Sequence, residues 1–224
     1  MADGPYRAPQ DSRNGRRASL IGIMDQKTTS LELKFPDDII NPGTATLDLE
    51  IPWLVPDSVR LLHRLVKPDH RVLDIGSGGS TFFYARRAQH VHAVETIKEY
   101  FDLVQQRIIG AQLGGKIDYH YHDNNTIVSH VSSLPDNSFD IVSIDTMTGQ
   151  NRTALFEAAL PKWTGRILIM DNWAHKKLWP TLFGLSGDQL LHRYGLDHYQ
   201  VCDFSHVPYK GQGTRLIISQ ELMG

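Results

Sequence analysis

The chain has 224 residues, of which 41% are hydrophobic and 21% are charged, as in an ordinary soluble domain with one large core. Its formal net charge of −2 gives no excess of positive charge, so we do not expect a nucleic-acid binder. The single Cys202 excludes an internal disulfide and no apolar run is long enough to span a membrane, which together favour a cytoplasmic protein without membrane partners.

The amino-terminal quarter of the chain divides into two predicted segments. Residues 1–28 carry scattered glycine, proline and arginine without an apolar period, which predicts a flexible arm. Residues 29–56 hold a short predicted strand, Ser30 to Phe35, and then an irregular stretch broken by prolines. We interpret 29–56 as a candidate substrate lid at the start of a single domain that covers 29–224.

Strands and helices alternate through the rest of the chain. A helix capped by Asp57 or Ser58 is predicted to run through Val66, and apolar residues at helical spacing predict further helices between the strands. The last two strands are joined by too few residues for a crossover helix and must form an antiparallel hairpin. The predicted fold is a Rossmann-like, doubly wound α/β fold with a mostly parallel seven-stranded sheet. The predicted strands are 72–75, 91–95, 117–122, 139–144, 166–170, 199–207 and 214–220.

A glycine cluster follows the first of these strands. The segment from Val72 to Thr81, VLDIGSGGST, predicts a strand, a tight turn and a helix opened by a hydroxyl. Glycine lets the backbone pass close to a ligand, and the helix start directs unpaired N–H groups at an anionic part of it. About 20 residues later, Glu95 closes the second strand, where an acidic side chain accepts both hydroxyls of a ribose. The cluster and Glu95 together predict a site for a nucleoside-bearing cofactor.

Carboxylates stand at the ends of five predicted strands. Ligands of parallel sheets bind at the carboxyl ends of the strands, so these side chains are expected to share one edge. Helix capping explains single acidic residues there, but it explains the whole set poorly. The residues are Asp74, Glu95, Asp123, Asp145 and Asp171.

The pattern resembles the class I S-adenosylmethionine-dependent methyltransferases over about residues 59–220. The resemblance is carried by the VLDIGSG motif at 72–78, by Glu95, by the LPDNSFD segment at 134–140 and by the closing hairpin. Ser80 stands where the usual motif has a third glycine. The resemblance implies S-adenosylmethionine as cofactor, bound by Asp74, Gly76, Ser77, Gly78, Gly79 and Ser80, by Glu95 with Thr96, and by Asp123 and Asn124.

Two of the implied contacts are ambiguous. Asp123 and Asn124 would bind the adenine edge, but a cap for a helix over Thr126 to Val131 explains them equally well. The adenine face is assigned to Ile97 on the same resemblance.

A narrower resemblance concerns the metal-dependent catechol and caffeoyl-coenzyme A O-methyltransferases. Asp145, Asp171 and Asn172 look like their metal triad, which implies Mg²⁺ and a lowered pKa for a substrate hydroxyl. These enzymes carry a lysine a few residues after the first aspartate, whereas residues 146–149 read Thr-Met-Thr-Gly. In the alternative interpretation, Asp145 and Asp171 orient loops or substrate without a metal.

The candidate catalytic residues are Asp145 and His175. His175 follows the fifth strand and could serve as a general base, or it could belong to an exposed charged face with Lys176 and Lys177. His120 and His122 share one face of a strand, but a pair lacks the further ligands of a zinc site, so no zinc is expected there.

The sequence as a whole predicts a methyltransferase that uses S-adenosylmethionine on a small molecule, at an oxygen atom. A nicotinamide-dependent oxidoreductase is disfavoured because residues 76–81 lack the strict three-glycine spacing. A non-catalytic subunit that binds S-adenosylmethionine stays open because the lysine is missing. The sequence leaves both a monomer and a homodimer open.

Overall fold

The computed structural model describes residues 44–146, 152–205 and 213–223 of the chain. The predicted arm 1–28, the predicted strand Ser30 to Phe35 and most of the expected lid lie outside the described residues, as do Met147 to Gly149. The described residues from Thr44 to Leu222 belong to one compact unit. None of the described helices is long and apolar enough to cross a membrane.

Strands and helices alternate through most of the described residues. The strands are β1 (Arg71–Ile75), β2 (His90–Glu95), β3 (Ile117–Tyr121), β4 (Phe139–Ile144), β5 (Trp163–Asp171), β6 (Tyr199–Ser205) and β7 (Gly213–Ser219). The α-helices are α1 (Thr44–Asp48), α2 (Pro56–Leu65), α3 (Gly79–Ala85), α4 (Lys98–Gly110), α5 (Ile127–Ser133), α6 (Arg152–Ala159) and α7 (Gly187–Arg193). Short 3₁₀ turns follow α6 and β7, at Leu160–Lys162 and Gln220–Leu222.

The strands form one seven-stranded sheet in the order β3-β2-β1-β4-β5-β7-β6. β7 runs antiparallel to both of its neighbours, and the other neighbouring pairs are parallel. The predicted fold class is therefore confirmed, including the antiparallel hairpin. The chain order reverses direction between β1 and β4, which opens a crevice at the carboxyl ends of these strands.

The central strands are buried on both faces, which explains why they are apolar runs instead of alternating ones. Four of the five residues of β1 and five of the six of β4 are buried. The core beside them includes Phe156, Trp163 and Trp179, so the sheet is covered by packed side chains. The side chains at the carboxyl ends of these strands are therefore held in place by a packed core.

Two local predictions differ from the structure. α2 begins at Pro56 with Val55 before it, and neither Asp57 nor Ser58 caps it. Proline suits the first helical position because it has no N–H to satisfy there, and the Ser58 hydroxyl instead donates to the Val55 carbonyl at 2.6 Å. The sequence analysis also missed α7, although the reciprocal capping pair of Ser186 and Gln189 signals its start.

Candidate functional site

The glycine turn after β1 is fixed by close contacts between backbones. Gly76 has a φ of +100°, and a Cβ there would lie 2.0 Å from the backbone oxygen of Asp145. A Cβ on Gly79 would lie 2.1 Å from the carbonyl oxygen of Ile51 and 2.3 Å from that of Thr46. Both positions therefore require glycine for packing, and the same absence of side chains leaves the turn open to a ligand.

Asp74 holds this turn from inside the protein. Its Oδ2 accepts hydrogen bonds from the Ser80 hydroxyl at 2.9 Å and the Thr81 hydroxyl at 2.7 Å. The Thr81 hydroxyl in turn accepts the Gly78 N–H at 3.2 Å. Asp74 Oδ1 is buried and has no hydrogen-bond partner among the described residues. Burial raises the pKa of Asp74 to about 7, so a substantial fraction of this carboxyl is protonated at neutral pH.

Glu95 is anchored at the end of β2 by four hydrogen bonds. Its Oε1 accepts the N–H groups of Thr96 at 2.7 Å and Ile97 at 2.9 Å. Its Oε2 accepts the N–H of Ser77 at 3.1 Å and the hydroxyl of Ser77 at 2.8 Å. The Ser77 hydroxyl also lies 2.7 Å from the Tyr119 hydroxyl. The predicted acid is thus anchored beside the glycine turn, and the Ser77 hydroxyl occupies the position on Oε2 that a ligand hydroxyl would take.

A cavity of about 440 Å³ opens over the turn. Its volume falls within the usual range of small-molecule sites. Of the predicted cofactor contacts, the turn Gly76 to Ser80 and Ile97 line the cavity, whereas Asp74, Glu95, Thr96, Asp123 and Asn124 are not among its described lining residues. The described lining residues are Thr46, Trp53, Gly76, Ser77, Gly78, Gly79, Ser80, Ile97, Glu99, Tyr100, Leu103 and Asp145.

Asp123 closes a turn just before α5 and does not cap the helix itself, whose N-cap is Thr126. Its Oδ1 accepts the N–H of Asn125 at 3.1 Å, the N–H of Thr126 at 3.0 Å and the Thr126 hydroxyl at 2.7 Å. The hydrogen bond from the Thr126 hydroxyl is the main cause of a lowered pKa for Asp123. Asp123 thus organises the turn that leads into α5, and an adenine contact by Asp123 and Asn124 stays a prediction.

The buried guanidinium of Arg152 bridges the two aspartates at the ends of β4 and β5. One terminal nitrogen, Nη2, donates to Asp145 Oδ1 at 3.2 Å and to the Thr146 carbonyl at 2.6 Å. The other, Nη1, donates to the Asp171 carbonyl at 2.7 Å and lies 3.7 Å from Asp171 Oδ2. The Arg152 side chain is only 2% exposed. Burial and the charge of Asp145 raise the pKa of Asp171, and Arg152 places one positive charge between the two carboxyl groups.

The predicted Mg²⁺ triad comes together in space, but its arrangement does not fit a divalent ion. Mg²⁺ needs carboxylate oxygens that are free to coordinate it together with several waters. Here Arg152 already contacts both aspartates, and the amide nitrogen of Asn172 donates to Asp171 Oδ2. The positive charge that the metal would supply is therefore provided by an arginine.

Solved methyltransferase structures match this chain over most of its length. An O-methyltransferase from Bacillus cereus, in complex with SAH, gives a TM-score of 0.55 at 21% identity, over 81% of this chain and 94% of its own. The O-methyltransferase TomG from Streptomyces achromogenes, in complex with SAM, gives 0.56 at 18% identity, over 92% and 99%. An rRNA methylase from Streptococcus thermophilus gives 0.53 at 13% identity, over 73% and 94%. No family model and no curated protein matches the sequence.

The chain has the class I methyltransferase fold. Identities of 13% to 21% show this fold alone, so the acceptor of those proteins is not carried over to this chain. The cavity described above opens at the crevice between β1 and β4, the place where open α/β sheets bind ligands.

His175 is not among the described residues that line the cavity. The His175 side chain is exposed, and the backbone N–H of His175 donates to the Asn172 carbonyl at 2.9 Å. Lys176 and Lys177 are exposed as well, which agrees with the charged-face interpretation. A catalytic role for His175 stays a prediction.

Sequence reasoning did not single out four residues that line the cavity, among them Glu99 of α4. Tyr100 and Leu103 project from α4, where they are part of an ordinary helical pattern. Thr46 lies in α1, within the segment expected to be an irregular lid. No local signal marks these positions, because only the packing of α1 and α4 over the glycine turn brings them to the cavity.

Proposed function

We propose that this protein is a methyltransferase that uses S-adenosylmethionine to methylate an oxygen atom of a small molecule. The observation that carries the proposal is the anchored carboxylate of Glu95, which lies beside the glycine turn and the 440 Å³ cavity. An acidic residue at this strand end accepts ribose hydroxyls in nucleoside cofactor sites. Two neighbours of the same fold were solved with SAH or SAM bound.

The cavity fits the parts of this cofactor. The turn Gly76 to Ser80 offers bare backbone to the methionyl part. A side chain at Gly78 would narrow the cavity, because its Cβ would lie 2.9 Å from the hydroxyl of Tyr100, which also lines the cavity. The ribose reaches Glu95 when the Ser77 hydroxyl turns away from Oε2, and Ile97 contacts the adenine face. Thr96 acts through its N–H, which fixes the Glu95 carboxylate. Asp123 and Asn124 then border the adenine edge.

Asp145 is the residue that we assign to the acceptor. Bound S-adenosylmethionine supplies an electrophilic methyl group on a sulfonium. Asp145 lines the cavity with its side chain 24% exposed, and Arg152 holds its Oδ1 in place. Its second oxygen orients the acceptor hydroxyl and receives the proton as the oxygen–carbon bond forms and the carbon–sulfur bond breaks. Exclusion of water and alignment of the reactants provide the rest of the acceleration.

The structure also supports a second candidate function, a non-catalytic subunit that binds S-adenosylmethionine. The supporting observation is the Arg152–Asp145 ion pair, which engages Oδ1 of the carboxylate at the cavity in a structural contact. A nicotinamide-dependent oxidoreductase would use the same ribose-binding acid, but residues 76–81 lack its strict three-glycine spacing.

An assay of methyl transfer tests the proposal. The full chain is incubated with methyl-labelled S-adenosylmethionine and a panel of hydroxylated small molecules, with RNA as a separate acceptor. We expect label in at least one small molecule, and a loss of turnover of about 100-fold or more in Asp145→Asn. Asp102→Asn, an exposed carboxylate of α4 paired with Lys98, is the matched control.

The same assay separates the alternatives. We expect EDTA to leave turnover unchanged, because Arg152 supplies the charge between the two aspartates. Loss of activity on metal removal would restore the triad interpretation. Binding of S-adenosylmethionine without transfer to any acceptor would favour the non-catalytic subunit, and transfer to RNA alone would contradict the small-molecule assignment.

A further inference from the structure

Four histidines and an aspartate form a cluster on one face of the sheet edge, away from the cofactor cavity. His92 lies on β2, and Asp118 and His120 lie on the edge strand β3. The intervening Tyr119 points to the other face of the sheet, where its ring stacks on Phe101 of α4 at 4.5 Å. The cluster therefore lies on the face opposite α4. His130 of α5 and His122, the residue after β3, complete it.

Three side chains of the cluster converge on one point. His92 Nδ1 lies 2.9 Å from Asp118 Oδ2, and His120 Nε2 lies 2.8 Å from Asp118 Oδ1. One ligand atom from each residue lies within 4.8 Å of the others. Ligands about 2.0 Å from a tetrahedral zinc ion are about 3.3 Å apart, so small side-chain shifts bring these atoms to coordination distance.

The contact between His120 and Asp118 places an imidazole nitrogen against a carboxylate oxygen without a well-aligned hydrogen bond. His120 Nε2 is buried and makes no hydrogen bond to the described residues, although Asp118 Oδ1 is 2.8 Å away. A ring nitrogen and a carboxylate oxygen this close share a proton or a cation, and both atoms are ligand types for a divalent ion.

His130 contacts the ring nitrogen of His92 that faces away from Asp118. The Nε2 atoms of the two rings lie 3.0 Å apart, so one of them donates a proton and the other accepts it. If the Nδ1 of His92 binds a metal, its Nε2–H is the donor and the neutral His130 ring is the acceptor. Such an outer hydrogen bond fixes the tautomer and the ring orientation of a metal-binding histidine.

We propose that His92, Asp118 and His120 bind one divalent ion of the first transition series, such as Zn²⁺, and that His130 positions His92. Two imidazoles and one carboxylate favour such an ion over Mg²⁺ or Ca²⁺, which prefer oxygen ligands. The side chains of Asp118 and His120 are 51% and 36% exposed, so the ion has a path from solvent and room for a water ligand. The ion links the edge strand β3 to β2, and this role is independent of the proposed methyl transfer.

Zinc titration of the tag-free, chelator-stripped full chain tests the proposal. Zn²⁺ is added in competition with a chromophoric chelator, and Co²⁺ is used in parallel for its visible absorption spectrum. We expect one equivalent to bind and the Tm to rise with the Zn²⁺ concentration, since the ion binds the folded state. Binding of well below one equivalent would overturn the proposal.

Variants locate the ion. We expect a loss of affinity of about 100-fold or more in both His120→Ala and Asp118→Asn, and of about tenfold or more in the positioning variant His130→Ala. Both ligand substitutions are at partly exposed side chains, and circular dichroism verifies their folding. One equivalent that binds with unchanged affinity in His120→Ala and Asp118→Asn would place the ion elsewhere and refute the assignment.

Two matched controls complete the design. His192 Nδ1 lies 3.4 Å from Asp197 Oδ1 in an exposed pair, and no third ligand joins it in the described part of the chain, so His192→Ala should bind zinc as the wild type does. Asp145→Asn should also keep full affinity, because the aspartates at the ends of β4 and β5 lie outside the cluster. Loss of zinc binding in either control would contradict the proposed ligand set.

Discussion

At the scale of single residues, Gly76 connects the packing of the turn with the openness of the site. Its backbone has a φ of +100°, and the space that a Cβ would fill holds the Asp145 carbonyl at 2.0 Å. A side chain at this position would have to displace the end of β4, on which Asp145 lies.

Gly76→Ala should therefore destabilise the protein strongly. The strained φ and the clash with backbone atoms each carry a cost, and we expect a loss of more than about 2 kcal/mol in the free energy of unfolding, measured with urea. Gly110→Ala is the control, because a Cβ there meets nothing within 4 Å and the residue ends α4. Equal stability of the two variants would contradict this account of the turn.

The pKa of Asp74 gives a prediction with a defined sign. The pKa is about 7 in the folded protein, against an ordinary value of 3.8, chiefly because the carboxyl is buried. Between these values the unfolded chain has lost a proton that the folded protein keeps, so the contribution of Asp74 to stability falls as pH rises and levels off above about 7.

Asp74→Asn tests this prediction, because asparagine does not titrate. The free energy of unfolding of the wild type, minus that of Asp74→Asn, should decrease between about pH 5 and about pH 8 in urea titrations. A difference that stays constant or grows with pH would show that Asp74 is ionised in the folded protein throughout.

Single residues also show where sequence reasoning stops. The position of Glu95 at a strand end is readable from the chain, because the strand pattern and the spacing from the glycine turn define it. The bond between Glu95 and the Ser77 hydroxyl is not readable, since it depends on how the turn folds back over β2. For the same reason, only the structure shows that Arg152 lies between two aspartates.

At the scale of elements, the buried strands were the most predictable parts. β4 begins and ends where the pattern predicts, and β1 and β2 differ from their predicted bounds by one residue. β5 begins at Trp163, three residues earlier than predicted. The prediction missed this start because a threonine, a glycine and an arginine separate Trp163 from the apolar run of the strand. The mistaken start of α2 has a similar origin, since a capping residue and an initial proline are both valid start signals.

Arg152 joins three elements, and its removal should show how strongly they depend on it. It extends from the first residue of α6 to the ends of β4 and β5, with the side chain almost fully buried. We expect Arg152→Met to lower the free energy of unfolding by about 3 to 5 kcal/mol, because it leaves buried carboxylates without a partner.

Two comparisons verify that reasoning. Arg60→Met removes an exposed pair with Asp57 and should cost less than about 1 kcal/mol in the same urea titration. Adding Asp145→Asn to Arg152→Met should restore part of the loss, since one of the unpaired charges is then gone. An Arg152→Met variant as stable as Arg60→Met would contradict the charge balance described for this site.

At the scale of the whole molecule, the alternation of strands and helices was enough to predict the sheet, its hairpin and the edge that carries the site. Tertiary juxtapositions within that frame were not predictable. His120 and His122 alone gave no reason to expect a metal site. The proposed site depends on two further side chains, His92 of β2 and Asp118 of β3, which the fold brings next to His120. The cavity likewise depends on α1 and α4, which approach the turn from distant parts of the chain.

The central claim is that the glycine turn and Glu95 form a site for S-adenosylmethionine, and calorimetric titration with SAH tests it most directly. We expect wild-type protein to bind one equivalent, NAD to bind far more weakly, and Glu95→Gln to lose about tenfold or more in affinity, since a charge-assisted hydrogen bond contributes about 1.5 to 3 kcal/mol. Asp102→Asn should bind as the wild type does. Tighter binding of NAD than of SAH, or unchanged SAH affinity in a folded Glu95→Gln variant, would contradict the account.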